Sequence, residues 1–259
     1  MKPEAGSPLD VTALRHALAG SRLGQPLVYL SEIGSTNTLA ADLARDGAAE
    51  GTLVITDYQT SGRGRVGRVW KALPNQQLAI SLILRPTFPP HFLVMASALA
   101  VAQAIEAVTA IRPDIKWPND VLVDEHKVCG ILIETSDGSA ILGMGLNVNG
   151  SLEDDEELAA RATTLQDALD HPVSREALLV EIVKRLDARY DDLLSGGVAA
   201  RKALRSAWRE RLVTLGRRTI IRQRDATLEG LAVEVDDDGA LLLRQDDGQL
   251  VTVLWGDVE

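Results

Sequence analysis

Residues 61–70 read Ser-Gly-Arg-Gly-Arg-Val-Gly-Arg-Val-Trp. Three guanidinium groups, on Arg63, Arg65 and Arg68, alternate with Gly62, Gly64 and Gly67, and Trp70 follows at once. An arginine fork is permanently charged and matches two oxygens of a phosphate or carboxylate together. Glycine lets the backbone come close to a ligand. The combination suits an anion clamp; the alternative is a solvated basic loop. No Gly-Lys-Ser/Thr follows, so this is not a Walker loop, and no helical pattern opens after it, so it is not a dinucleotide fingerprint. Its glycines cost entropy to fix and its arginines repel one another. Residues 62–68 are therefore expected to order only when an anion arrives.

Four further groups have side chains suited to a site. Gly34-Ser35-Thr36-Asn37 opens a helical pattern, where a capping residue is needed, yet one cap does not use three polar side chains. Gln59 stands just ahead of the arginine run. Lys116-Trp117-Pro118-Asn119-Asp120 puts a cation, an amide and a carboxylate around a proline that must turn the chain. An Asx turn is the plainer reading of Asn119-Asp120. Lys127, three residues before Gly130, is either a reactive-site cation or the exposed tip of the hairpin 124–127. Gly143-Met-Gly145-Leu-Asn147 ends an apolar run.

The elements that must carry these groups follow from periodicity. Asp10 caps a short helix through Ala19, after a loose terminus at 1–8. Strands are expected at 27–30 and 52–56, with a helix at 38–45 between them. Residues 78–84, Leu-Ala-Ile-Ser-Leu-Ile-Leu, are apolar throughout, as in a strand covered on both faces. A helix over 91–108 shows a smooth alanine face. Strands at 121–123, 128–134 and 140–148 form an antiparallel meander, and an acidic run at 153–157 reads as a solvated loop. Two helices at 174–194 and 198–209 precede short strands at 219–223, 227–235, 240–244 and 250–254, which suggest a small barrel.

The chain has 259 residues, 46% hydrophobic, with a formal net charge of −10. That balance argues against general attraction to nucleic acid or to an acidic membrane and makes the arginine run a local exception. The single cysteine, Cys129, fits a reducing cytoplasm and is expected in the core. No signal peptide, membrane span or metal-ligand spacing of histidines is visible, so no structural metal is expected.

Taken in order, Gly-Ser-Thr-Asn, Tyr-Gln-Thr-Ser-Gly-Arg-Gly-Arg-x-Gly-Arg-x-Trp, Lys-Trp-Pro-Asn-Asp, Lys-Val-Cys-Gly-Ile-Leu and Gly-x-Gly-x-Asn resemble the biotin protein ligases over about residues 26–255. The resemblance implies an α/β (α+β) fold. Its catalytic domain has a mixed sheet related to class II aminoacyl-tRNA synthetases and lipoate ligases, and an SH3-like β-barrel follows. The corresponding division is a short extension at 1–25, a catalytic domain at 26–214 and the small domain at 215–259. About 25 residues before the catalytic domain are too few for the DNA-binding module of some members, which implies the monofunctional form. Ala72-Leu73-Pro74-Asn75 departs from the Ser-Pro-x-Gly common in the family.

The implied activity makes biotinyl-5′-AMP from biotin and ATP with Mg²⁺, then transfers biotin to a lysine of a biotin carboxyl carrier protein. Lys127, Arg65 and Asp120 are the implied catalytic residues, with Asn119 and Asp120 as orienters near either Mg²⁺ or the attacking amine of the carrier lysine. Ser35, Thr36, Asn37, Gln59, Gly62, Arg63, Gly64, Arg65, Lys127 and Gly130 are implied at biotin. Arg63, Arg65, Arg68, Trp70, Lys116, Asn119, Lys127 and Asn147 are implied at ATP and the adenylate, while Trp117 reads as a core anchor. A homodimer is compatible with the resemblance. The alternatives are a lipoate or other acyl-protein ligase and, in another class, a nucleic-acid-binding module.

Overall fold

The computed structural model describes residues 6–224 and 226–258, with the side chain of Val66 left aside. The expected loose terminus lies outside these residues for 1–5, while Ser7 and Leu9 are tied down. Arg175 Nη2 donates to the Ser7 carbonyl at 2.6 Å, and the Leu9 N–H donates to Asp57 at 3.2 Å.

In chain order the elements are α1 (Val11–Ala17), β1 (Leu27–Ile33), α2 (Thr36–Arg45), β2 (Leu53–Gln59), β3 (Gly62–Arg63), β4 (Val69–Trp70) and β5 (Leu78–Leu84). Then come α3 (His91–Thr109), β6 (Asp114–Lys116), β7 (Asp120–Val123), β8 (His126–Ser136) and β9 (Ser139–Leu146). The rest comprises α4 (Glu156–Ala159), α5 (Leu165–Leu169), α6 (Arg175–Ser195), α7 (Gly197–Arg209), β10 (Arg218–Arg222), β11 (Thr227–Val235), β12 (Leu241–Arg244), β13 (Leu250–Val253) and β14 (Asp257–Val258). Asp10 caps α1 by accepting from the Ala13 N–H, and Ser174 caps α6 by accepting from Ala177.

The main sheet has seven strands in the order β1-β2-β5-β9-β8-β7-β6. Only β1 and β2 run parallel, which makes the sheet mixed. β5 lies inside it, and its alternate residues serve two faces. Leu78, Ile80, Leu82 and Leu84 join the core under α3 and α6, while Ile83 joins Val54 and Ile141 beneath α2. Coverage on both sides explains why this strand carries no polar stripe. α3 is long and apolar enough to span a bilayer by composition, yet it is packed within this core against α6.

The second sheet is antiparallel, in the order β13-β12-β11-β10-β14. It is fastened to the first by Trp117, whose indole N–H donates to the Gly239 carbonyl at 2.9 Å. Trp117 is thus the core anchor its sequence context suggests. Arg205–Asp237 and Arg209–Glu234 add ion pairs between α7 and this sheet. Cys129 is fully buried, and that burial pushes its thiol up to about 12, so it stays protonated and inert.

The deepest charge pair is Arg175–Asp57 at 2.9 Å, with both side chains at most 4% exposed. Tyr29 Oη donates to Asp57 at 2.6 Å, and that bond pushes the phenol up to about 12. Removing one charge of such a pair strands the other in a medium of low dielectric constant. Arg175→Met should therefore lose ~3–5 kcal/mol of unfolding free energy in a urea titration. A loss under ~1 kcal/mol would show that Asp57 is satisfied by Tyr29 and the Leu9 amide alone.

Candidate active site

The arginine run folds into a small hairpin. β3 pairs with β4 through Gly62↔Trp70 and Arg63↔Val69, and a 3-10 turn at Arg65–Gly67 closes it. Gly62 is required by space, because a Cβ there would lie 2.5 Å from the Trp70 carbonyl. The repulsion expected among the arginines is offset by internal acceptors. Arg63 meets Glu134 at 3.0 Å, Arg65 donates to Asn119 Oδ1 at 2.7 Å, and Arg68 meets Asp257 at 2.7 Å. Each of the three guanidinium groups therefore has an acceptor within the protein. Arg65 also reaches the Gly256 carbonyl at 3.4 Å; burial lowers its pKa, and the carboxylates of Asp257 and Asp120 oppose that shift.

The hairpin roofs a cleft of about 650 Å³ whose floor is β8 and β9. Except for Gly62, every residue expected at biotin or at nucleotide lines it: Ser35, Thr36, Asn37, Gln59, Arg63, Gly64, Arg65, Arg68, Trp70, Lys116, Asn119, Asp120, Lys127, Gly130 and Asn147. Gly62 is buried behind the hairpin, against Trp70 and Gln59.

At one end lie the polar residues of α2. The helix begins at Thr36, two residues earlier than its pattern suggests, and Ser35 makes no side-chain cap bond. The cap alternative for Ser35-Thr36-Asn37 therefore fails. Thr36 donates its N–H to Gln59 Oε1 at 2.8 Å, and its hydroxyl lies 3.0 Å from the same oxygen. Asn37 gives its amide N–H to Glu134 at 2.8 Å and receives Ser81 Oγ at 2.6 Å. Gly143 makes this approach possible, since a Cβ there would sit 2.2 Å from Asn37 Oδ1.

At the centre, Lys127 Nζ lies 2.7 Å from Asp120 Oδ1. Lys127 is not at a hairpin tip. It is the second residue of β8, and its N–H donates to Arg161 while its carbonyl accepts from Thr163. A register shift at Val121/Leu122 breaks the alternation, so Val128 and Cys129 both enter the core and Lys127 comes beside Gly130. A Cβ on Gly130 would be 3.0 Å from Lys127 Nζ and 3.1 Å from the Trp70 ring. The Trp70 ring also rests on Gly145, where a Cβ would approach to 2.6 Å. Asn119 does not close a simple Asx turn. It accepts from Arg65 and donates to the Ile131 carbonyl at 2.8 Å.

Asn147 stands one residue past β9, buried, with its amide on the Thr163 carbonyl at 3.2 Å. The acidic run is more than a solvated loop. Asp155 caps α4, pairs with Lys71 and, with Glu157, lines the cleft. Sequence reasoning missed Glu134, Ser81, Asp155 and the 256–258 stretch. Glu134 carried a signal: it shares the parity of Gly130 and Leu132 in an apolar strand. The others gave none. Among the described residues no three potential metal ligands lie together.

Residues 29–150 match the biotin/lipoate A/B protein ligase family, and residues 214–259 match the biotin protein ligase C-terminal domain. The bifunctional ligase/repressor BirA of Bacillus spizizenii is 38% identical over 93% of this chain and 76% of its own length. The biotin--[acetyl-CoA-carboxylase] ligase of Mycobacterium tuberculosis is 33% identical, over 97% of this chain and 95% of its own. The solved structure of the Aquifex aeolicus biotin protein ligase in complex with biotin and ATP superposes with a TM-score of 0.80 at 29% identity. It covers 91% of this chain and 98% of the other. A cleft ringed by three arginines, a lysine–aspartate pair at its centre and relatives aligned along nearly the whole chain agree on one conclusion: the chain belongs to the biotin protein ligase family.

Proposed function

We propose that this cleft joins biotin to AMP and then to a carrier lysine, with the roles divided as follows. The observation that carries the reading is the Lys127–Asp120 pair beside Gly130, with the guanidinium groups of Arg63, Arg65 and Arg68 around the same space. In the first step a biotin carboxylate oxygen attacks the α-phosphorus of ATP and pyrophosphate leaves. Two anions must meet, and Lys127 with the arginines offsets their repulsion. Such a preorganised donor contributes ~3–4 kcal/mol in the transition state. Mg²⁺ would arrive on the ATP phosphates with Asp120 as the facing carboxylate, supplying further neutralisation. Ser35, Thr36, Asn37 and Gln59 bind the ureido ring, whose polar groups are costly if buried unpaired.

In the second step a carrier lysine attacks the mixed-anhydride carbonyl carbon and AMP leaves. As the C–N bond forms, the nitrogen becomes acidic enough for Asp120 to take its proton. Trp70 packs by the adenine, with Lys116, Asn119 and Asn147 toward the nucleotide. A carboxylase carrier domain as acceptor and a cytoplasmic setting belong to the same reading, and a homodimer is compatible with it.

Mass spectrometry of the chain mixed with biotin, MgATP and a carboxylase carrier domain should show one added biotin on the carrier. Transfer of lipoate in place of biotin would replace this reading with the acyl-ligase alternative. Lys127→Ala should slow pyrophosphate release by about 10²–10³ while melting within a few degrees of wild type. Near-wild-type release would remove Lys127 from the chemistry. Arg65→Gly should retain the adenylate less well than it makes it, because the side chain closes over the cleft from the mid-hairpin. Bystander proteins should then acquire biotin, and labelling equal to wild type would count against that role.

A further inference from the structure

We propose that Glu134 is a positioning residue that couples the ligand-lining start of α2 to the arginine hairpin. One carboxylate oxygen, Oε2, receives both the Asn37 amide at 2.8 Å and the Arg63 guanidinium at 3.0 Å. Glu134 does not line the cleft, whereas Asn37 and Arg63 both do. It therefore acts through them.

The orientation of Asn37 is dictated by chemistry. A carboxylate can only accept, so the nitrogen of the amide faces Glu134 and the oxygen faces Ser81. Ser81 is fully buried and has one hydroxyl proton. Asn37 Oδ1 needs that proton, which leaves the Ser81 oxygen to accept from Thr36 Oγ1 at 2.8 Å. The Thr36 hydroxyl proton being used there, Gln59 is joined through the Thr36 N–H, and the result is a continuous polar chain, Gln59–Thr36–Ser81–Asn37–Glu134–Arg63, from the α2 end of the cleft to its roof. Asn37 is buried at 4% exposure, so its bond to a charged acceptor is strong. The Arg63 end is half open to solvent and weaker.

The two ends can be separated by substitution. Glu134→Gln keeps an acceptor for Asn37 but removes the charge that holds Arg63; Glu134→Ala removes both. Without ligands, both variants should be cut by trypsin after Arg63 about threefold faster than wild type, the size expected of a partly exposed pair. Cutting after the buried Arg175 should be unchanged, which shows an intact fold. In pyrophosphate release, Glu134→Ala should raise the biotin KM about tenfold with kcat within about threefold, while Glu134→Gln stays within about twofold in KM. This second arm rests on the biotin reading, and the ligand-free trypsin arm does not. A wild-type chain inactive with biotin would remove the reading and leave the trypsin result to decide the coupling. Unchanged cutting after Arg63 in both variants, or a wild-type biotin KM in Glu134→Ala, would overturn the proposal. So would kcat falling in step with the folded fraction at constant KM.

Discussion

The cleft depends first on clearance. Gly143 and Gly145 present bare backbone on β9, and Gly130 does so on the neighbouring β8. Asn37 comes to rest where the side chain of residue 143 would otherwise be, and the Trp70 ring lies across 145 and 130. Without those three absences, α2 and the hairpin would stand off the sheet by the thickness of a methyl group. The Lys127–Asp120 pair would then open directly to solvent and lose the low-dielectric surroundings that strengthen it. Steric room on the floor is thus what brings the polar groups of roof and wall into register.

Charge matching is the second constraint. Three arginines so close together would repel strongly if nothing answered them, yet each has an acceptor of its own on a different element. Glu134 belongs to β8, Asn119 to the turn before β7, and Asp257 to β14. The hairpin consequently borders three separate parts of the molecule.

Much of this was legible in the sequence, for identifiable reasons. The covered strand β5 announces itself because both its faces are apolar, and α6 because its cap and stripe agree. The arginine run, Lys127 and Asp120 stand out because their residue types are costly unless they have a task. Other features left no local trace. The position of Lys127 within a strand depends on a register shift that pairing with β7 imposes, and polar residues around 124–126 resemble a longer turn. Ser81 reads as a mere interruption of an apolar run until α2 is laid over it. Asp257 meets the hairpin across 189 positions of chain, a distance at which no periodicity can speak.

That last separation bears on how the molecule is made. Synthesis proceeds from the N-terminus, so the hairpin leaves the ribosome long before the strand that receives Arg68 and the carbonyl that receives Arg65. Until then Arg68 of the hairpin lacks its carboxylate, and Arg65 has the Asn119 oxygen but not the Gly256 carbonyl. Emergence of β14 supplies the Asp257 carboxylate to Arg68, so the charge at the roof of the cleft is fully matched only after the second sheet has been made.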